Sequence, residues 1–304
     1  MKIYDCVIIG AGPAGLSAAI YLARFNRRVI VIGRDHGRTN NYEINENYLG
    51  FPHGIAARHL TELGREQAIR FGAEYAHDSI ESIQKSASTF TVMGDRESHH
   101  SRTVILATGV SDLFPNLTDY QEYLGKTLFW CITCDGYKTK GKKVVVIGDS
   151  NDAACTAMQF LEFTPQVSLV TNFQPRAAEL DQHWLARLHT AKIPVIESEI
   201  VSLHGREGIL DSIELTSGKM LEAEFIINQQ GAVPNTALAT QLGVKVNQDG
   251  YIETDEEQRT NIPKIYAAGD VTRAFAHQII TAAHEGSMAA QAANYDLYRP
   301  EQRF

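Results

Sequence analysis

Cys131-Ile132-Thr133-Cys134-Asp135-Gly136 places two thiols two residues apart and an acid directly after the second. Thiols at that spacing can close into an exchangeable disulfide. Exchange runs through a thiolate, so a proton must move, and Asp135 stands beside the pair to move it. A second stretch narrows the chemistry. Gly10-Ala11-Gly12-Pro13-Ala14-Gly15 follows an apolar run and opens a helix of small residues. Gly10 permits the turn, Gly12 lets backbone approach a pyrophosphate, and Gly15 allows close helix–strand packing. A dinucleotide site together with a paired dithiol implies electron transfer between a bound cofactor and a disulfide.

The elements that position these residues follow from hydrophobic periodicity. Residues 4–9 read as a buried strand, 13–25 as a helix with Pro in its first turn, and 28–32 as the next strand. That is the start of a βαβ unit. Helical periodicity returns over 55–71. Short strands follow at 79–83 and 89–93, and 102–109 is a strand ending in the tight turn Ala107-Thr108-Gly109. Residues 142–147, 152–163 and 167–171 then repeat the strand–helix–strand pattern, so the chain holds two nucleotide-binding-type units. Hinges are expected near 111–116 and 243–247. A strand over 262–270 ends in Gly269-Asp270, and an Ala-rich helix is expected from about His277 to Tyr298.

Composition removes several classes of function. The 304 residues suffice for two domains. No apolar run reaches membrane-spanning length, and the chain opens directly into a strand, which makes a cytoplasmic location the default expectation. The net charge of −8, with scattered basic residues, speaks against nucleic acid as a partner. Four cysteines are too few for a disulfide scaffold, and no second CxxC completes a zinc site, so no metal is expected. Cys6 and Cys155 read as buried small apolar residues. His99-His100 reads as a solvated polar turn. His284, seven residues after His277, is expected to share a helix face with it.

Taken in order, Gly10 to Gly15, Ala107-Thr108-Gly109, the CxxCDG stretch, Ala268-Gly269-Asp270 and His277-Gln278-Ile279-Ile280-Thr281-Ala282-Ala283 resemble the low-molecular-weight thioredoxin reductases over residues 3–298. The resemblance implies an α/β flavoprotein with two dinucleotide-binding domains. A discontinuous three-layer FAD domain (1–112 and 244–304) would carry an inserted pyridine-nucleotide-type domain (113–243) holding the dithiol. It implies a homodimer and a disulfide protein such as thioredoxin as partner. Position by position, it places FAD against Gly10, Gly12, Pro13, Ala14, Gly15, Asn47, Thr108, Gly109, Gly269, Asp270, Gln278 and Ile279. His277 stands where the family usually has Arg. Arg34 and Asp35 stand at the tip of the second strand, where a ribose-binding acid is expected. Cys134 would face the flavin and form the charge-transfer thiolate, Cys131 would attack the partner disulfide, and Asp135 would act as acid and base.

The second βαβ unit departs from the family. An NADPH site is expected to read Gly-x-Gly-x-x-Ala, but this chain reads Gly148-Asp149-Ser150-Asn151-Asp152-Ala153. Ser150 replaces the glycine that admits pyrophosphate, and two carboxylates stand nearby. One such charge ~4 Å from a phosphate costs up to about 4 kcal/mol at an effective dielectric of 20. The Arg cluster for a 2′-phosphate is absent too; only Arg176 of Thr171-Asn172-Phe173-Gln174-Pro175-Arg176 stands near. NADPH is therefore not the expected donor. The branch called ferredoxin–flavin thioredoxin reductase is a closer resemblance, and a second FAD in the altered pocket, as in a related diflavin branch, stays open. So do a dithiol oxidase that passes electrons to oxygen, an NADPH enzyme with a modified site, and a non-catalytic redox-sensing flavoprotein. Asp135 favours a reductase over an oxidase, which usually has His there.

Overall fold

A computed structural model describes residues 2–34, 37–41, 44–117, 119–171 and 180–303. The chain divides into two compact units. The first comprises Met1–Asn40, Tyr48–Ser111 and Val233–Phe304, and the second Asn41–Asn47 and Asp112–Ala232. The second crossing thus falls at residues 232/233, whereas the sequence reading puts it near 243. Gly243 ends a short helix in the left-handed conformation, with φ +76° and its N–H on Thr240 O, as glycine at a helix end commonly does.

The principal elements, in chain order, are β1 (Ile3–Ile9), α1 (Pro13–Arg24), β2 (Val29–Gly33), α2 (Ala57–Arg70), β3 (Glu74–His77), β4 (Ile80–Lys85), β5 (Phe90–Gly94) and β6 (Ser98–Leu106). The second unit contributes β7 (Leu128–Phe129), α3 (Ile132–Asp135), β8 (Val144–Ile147), α4 (Asn151–Gln159), β9 (Val167–Thr171), α5 (Gln182–Thr190) and β10 (Val195–Glu197). It continues with β11 (Ile200–Arg206), β12 (Ile209–Leu215), β13 (Met220–Glu222) and β14 (Phe225–Asn228). The chain then returns to the first unit with α6 (Ala237–Gln241), β15 (Ile265–Ala267) and α7 (Ile279–Leu297). No helix among the described residues is long and apolar enough to cross a membrane.

In the first unit the sheet runs β3-β2-β1-β6-β5-β4, with β15 also paired to β6. β1, β2 and the end of β6 are buried on both faces, as parallel strands under two covering layers must be. Cys6, Ile8, Val29, Val31 and Ile105 pack under α1 and α7. Val7, Ile9, Ile30, Ile32 and Leu106 pack on Ile83, Phe90 and Val92. The unit is therefore three layers deep. Small residues allow the helix layer to close: a Cβ on Gly286 of α7 would lie 2.0 Å from Ala14 O of α1. The second unit repeats the plan with a parallel sheet β7-β14-β8-β9-β10, helices on one face and the antiparallel β11-β12-β13 on the other.

Three expectations are corrected. His99 is not in a solvated turn. It lies in β6, is 7% exposed and meets the Tyr4 ring edge-on. Ser101 and Thr103 are buried on the same strand, so polar residue types disguise an alternating strand. α7 begins at Ile279 rather than His277, because Ala276 turns the chain with φ +61°. His277 therefore lies outside the helix, bonded to Arg273 O, and does not share a helical face with His284. Cys155 is half-buried rather than buried, while Cys6 is fully buried and its thiol is pushed up to about 12 by that burial.

Candidate active site

The register of the first sheet sets the cofactor edge. Ile9 pairs with Leu106, and Leu106 with Ala267, so three strands end at one level. Gly10, Thr108-Gly109 and Gly269-Asp270 follow directly, which gathers three separate motifs at the carboxyl edge of the sheet. Gly10 has φ +111°, and a Cβ there would lie 2.1 Å from Ala107 O. Gly15 needs its missing side chain as well, since a Cβ would lie 1.9 Å from Gly10 O. Gly12 differs: nothing lies within 4 Å of the place a Cβ would take. It is the N-cap of α1, which has no side-chain cap and no acidic residue in its first turn. An open cradle at an uncapped positive helix end fits the pyrophosphate of FAD.

Residues that the sequence reading missed brace this edge. Glu285 of α7 is 1% exposed and accepts the N–H of Gly269 at 2.7 Å and the Thr272 hydroxyl at 2.9 Å. Arg273 pairs with it. Asn235 accepts the Thr108 hydroxyl on its carbonyl at 2.7 Å and donates its side-chain amide back to Thr108 O at 3.0 Å. Arg38 donates to the Asp270 carboxylate at 2.9 Å. The available signals were an acid inside an Ala-rich helix and a base shortly after the second strand. Of the expected contacts, Gly10, Gly12, Pro13, Ala14, Gly15, Thr108, Gly109, Gly269 and Asp270 come together. Gln278 is the N-cap of α7 and Ile279 its first residue. One turn on, Ala282 Cβ lies 3.5 Å from where a Gly269 Cβ would be, which sets that helix start beside the edge. Arg34 is exposed just past β2. Asn47 groups with the second unit. Asp35 and Arg176 lie outside the described residues.

In the second unit Cys131 and Cys134 form a disulfide with Cα atoms 5.3 Å apart, both residues half-buried. Cys131 is the N-cap of α3, and its Sγ accepts the Cys134 N–H at 3.1 Å. Asp135 is 2% exposed. Burial raises its pKa to about 6, against the opposing pull of Lys138, whose Nζ is 3.1 Å from Oδ1. The negative charge of Glu46 adds to the rise. Lys138 also lies 3.2 Å from Glu46 Oε2, and the Tyr137 hydroxyl donates to the same oxygen. These bonds, the Tyr137 one foremost, hold the Glu46 carboxyl below its ordinary value. An acid titrating near neutrality beside a dithiol can give and take protons at working pH.

The other nucleotide-type unit is arranged differently from the first. Ser150 is the N-cap of α4, and its Oγ accepts the N–H of Ala153 at 3.3 Å. Asp152 lies in the first helical turn. Asn151 is tied to Asp181 by two hydrogen bonds, of 2.9 and 3.1 Å.

Two α/β units, one with an open dinucleotide cradle and the other with a redox disulfide next to a buried acid, define a flavin-dependent disulfide oxidoreductase. The family model of pyridine nucleotide-disulphide oxidoreductases matches residues 4–294, and the chain belongs to that family. It is thioredoxin reductase-like and FAD-dependent. A thioredoxin reductase of Treponema pallidum is 34% identical over 95% of this chain and 96% of its own length. The crystal structure of a Streptococcus pyogenes thioredoxin reductase superposes with TM-score 0.90 at 27% identity, covering 97% of this chain and 98% of that one. An atypical thioredoxin reductase from Desulfovibrio vulgaris Hildenborough is 37% identical, with TM-score 0.53, over 95% of this chain and 96% of that one.

Proposed function

We propose that this protein reduces a protein disulfide through Cys131 and Cys134, with electrons that enter from a donor other than NADPH. FAD, when bound, supplies a carrier that takes electrons singly and releases them in pairs. Gly10, Gly12 and Gly15 hold its pyrophosphate at the α1 N-terminus, and Thr108, Asp270 and Gln278 orient the remainder. Cys134 is the sulfur that receives the electron pair, and Cys131 leaves as the thiolate that attacks the partner disulfide. Asp135 protonates one sulfur as the bond opens. The partner is thioredoxin or a protein of like chemistry, and the working unit is a homodimer.

The observation that carries the donor half is the N-terminus of α4. Its first turn is capped by Ser150 and carries Asp152. A phosphate there competes with an internal hydrogen bond and meets a like charge. The donors this reading favours are a reduced ferredoxin or a second flavin. A plant-type ferredoxin near about −400 mV and a thioredoxin near about −270 mV differ by ~6 kcal/mol for two electrons, which is downhill in the required direction.

Anaerobic mixing tests the reading. FAD-loaded protein is combined in turn with NADPH, NADH and reduced ferredoxin while the flavin absorbance is followed. Fast bleaching by ferredoxin, and none by micromolar NADPH, is expected. Rapid bleaching by micromolar NADPH overturns it.

A further inference from the structure

Lys138 follows the dithiol motif and lies three residues beyond Asp135. Its ammonium is 3.1 Å from Asp135 Oδ1 and 3.2 Å from Glu46 Oε2, and it sits over the Phe129 and Tyr137 rings at 5.1 and 5.8 Å. The same Glu46 oxygen accepts the Tyr137 hydroxyl. The Lys138 side chain is 24% exposed and that of Asp135 3%. Among the described residues, Asp135 Oδ2 is buried and has no hydrogen-bond partner. The carboxyl is thus gripped by one oxygen and left open at the other.

We propose that Lys138 is a positioning residue for the acid of the dithiol: it fixes Asp135 through Oδ1, is itself anchored by Glu46 and Tyr137, and leaves Oδ2 to carry the mobile proton. The proposal rests on the reading of Asp135 as that acid. When two electrons cleave the Cys131–Cys134 bond, the protonated carboxyl gives its proton to one sulfur. The products are one thiol, one thiolate and the Asp135 carboxylate. When a partner disulfide oxidises the pair again, the carboxylate takes the thiol proton back.

Two carboxylates share one cation here, and the geometry gives their effects opposite signs. Lys138 favours the charged form of Asp135, and Glu46 disfavours it. The charged and titratable groups that act on Asp135 are Lys138, Glu46 and Tyr137. A role confined to packing predicts no such opposition, because loss of either side chain would loosen the same cluster.

The test uses the FAD-loaded protein with its dithiol reduced by a phosphine. The rate of exchange with Ellman's reagent is measured from pH 5 to 9, and the carboxyl ¹³C resonance of Asp135 is titrated in parallel. Asp135→Asn identifies the resonance and the limb of the rate profile that belongs to it. Lys138→Met, which keeps the stem and drops the charge, is expected to move that limb and the resonance midpoint up by about one pH unit or more. Lys138→Arg should restore the wild-type midpoint, and Glu46→Gln should move it down. An unmoved midpoint in Lys138→Met, or shifts of the same sign in Lys138→Met and Glu46→Gln, overturns the proposal. If Asp135→Asn leaves the rate profile intact, Asp135 is not the acid and the underlying reading falls with it. If Asp135→Asn erases the limb while Lys138→Met leaves it in place, only the positioning role falls.

Discussion

Ser150 Oγ accepts the N–H of Ala153 at 3.3 Å, whereas Gly12, at the matching place in the first unit, offers no side chain to cap its helix. One chain thus contains two crossover helices with opposite dispositions toward an anion. The first presents unfilled N–H donors, and the second fills one from within and adds Asp152 to the turn. Ser150→Gly with Asp152→Ala should therefore lower the Kd for NADPH by about tenfold or more, which is about 1.4 kcal/mol. Loss of the cap to Gly costs only a few tenths of a kcal/mol, so the fold is kept. A fluorescence titration with NADPH reads the change. Equal affinity in wild type and double variant would contradict the account.

Gly10 and Gly12 should respond differently to the same change. Gly12 has φ −80°, which any residue adopts, and open space where a Cβ would go. Gly12→Ala is expected to lower the cofactor-free melting temperature only slightly, since Ala caps a helix less well than Gly, while FAD affinity falls at least about tenfold. Gly10→Ala forces a left-handed φ and a 2.1 Å contact with Ala107 O, so it should destabilise the cofactor-free protein by about 3 kcal/mol or more. Thermal melts with and without FAD separate the two effects. Equal destabilisation by both substitutions would contradict the assignment of Gly12 to ligand contact.

Glu285 offers a test of how the edge is braced. It accepts the N–H of Gly269 and the hydroxyl of Thr272 from a position 1% exposed. Glu285→Ala leaves those donors without an acceptor and should cost about 2 kcal/mol or more. Denaturant titration measures it. Because Gly269 precedes Asp270, FAD retention should fall together with stability.

Cys134→Ser should abolish disulfide turnover and leave FAD bound, because the thiol lies in the second unit and the cofactor cradle in the first. Flavin absorbance after gel filtration and turnover with a thioredoxin disulfide are the two readouts. Turnover above about one hundredth of wild type would exclude the route through this sulfur.

The parts legible in the sequence are those that local spacing determines. The glycine signature, the CxxC pair and the repeated strand–helix–strand all depend on residues within one turn or one crossover. The brace around the cofactor edge was not legible, because its members meet only after folding. Arg38 and Asp270 are 232 residues apart in sequence, and Thr108 and Asn235 are 127 apart. Gly243 ends a helix, and such a glycine looks in sequence like one that permits a hinge. His277 misled because nothing in an Ala-rich run announces a left-handed Ala276 before it. His99 misled because inward positions of β6 carry Ser101 and Thr103, polar types that read as surface.

Asp135 also makes a prediction about stability, and its sign follows from burial. Its carboxyl titrates near 6 in the folded protein, against 3.8 when unperturbed, so folding favours the protonated form. Below about pH 4 both states are protonated and ionisation costs nothing. Between about 4 and 6 the unfolded chain ionises while the folded one resists, and the folded state loses stability. Above 6 the cost is complete, about 3 kcal/mol at about 1.4 kcal/mol per unit. Asn cannot ionise and fits nearly the same space. Asp135→Asn should therefore be more stable relative to wild type at pH 8 than at pH 4.5, by about 2 kcal/mol, while disulfide turnover drops. Guanidinium titrations of both proteins at the two pH values decide it. A stability difference that does not grow with pH would mean that Asp135 is already ionised at little cost, leaving it no proton to give near neutrality.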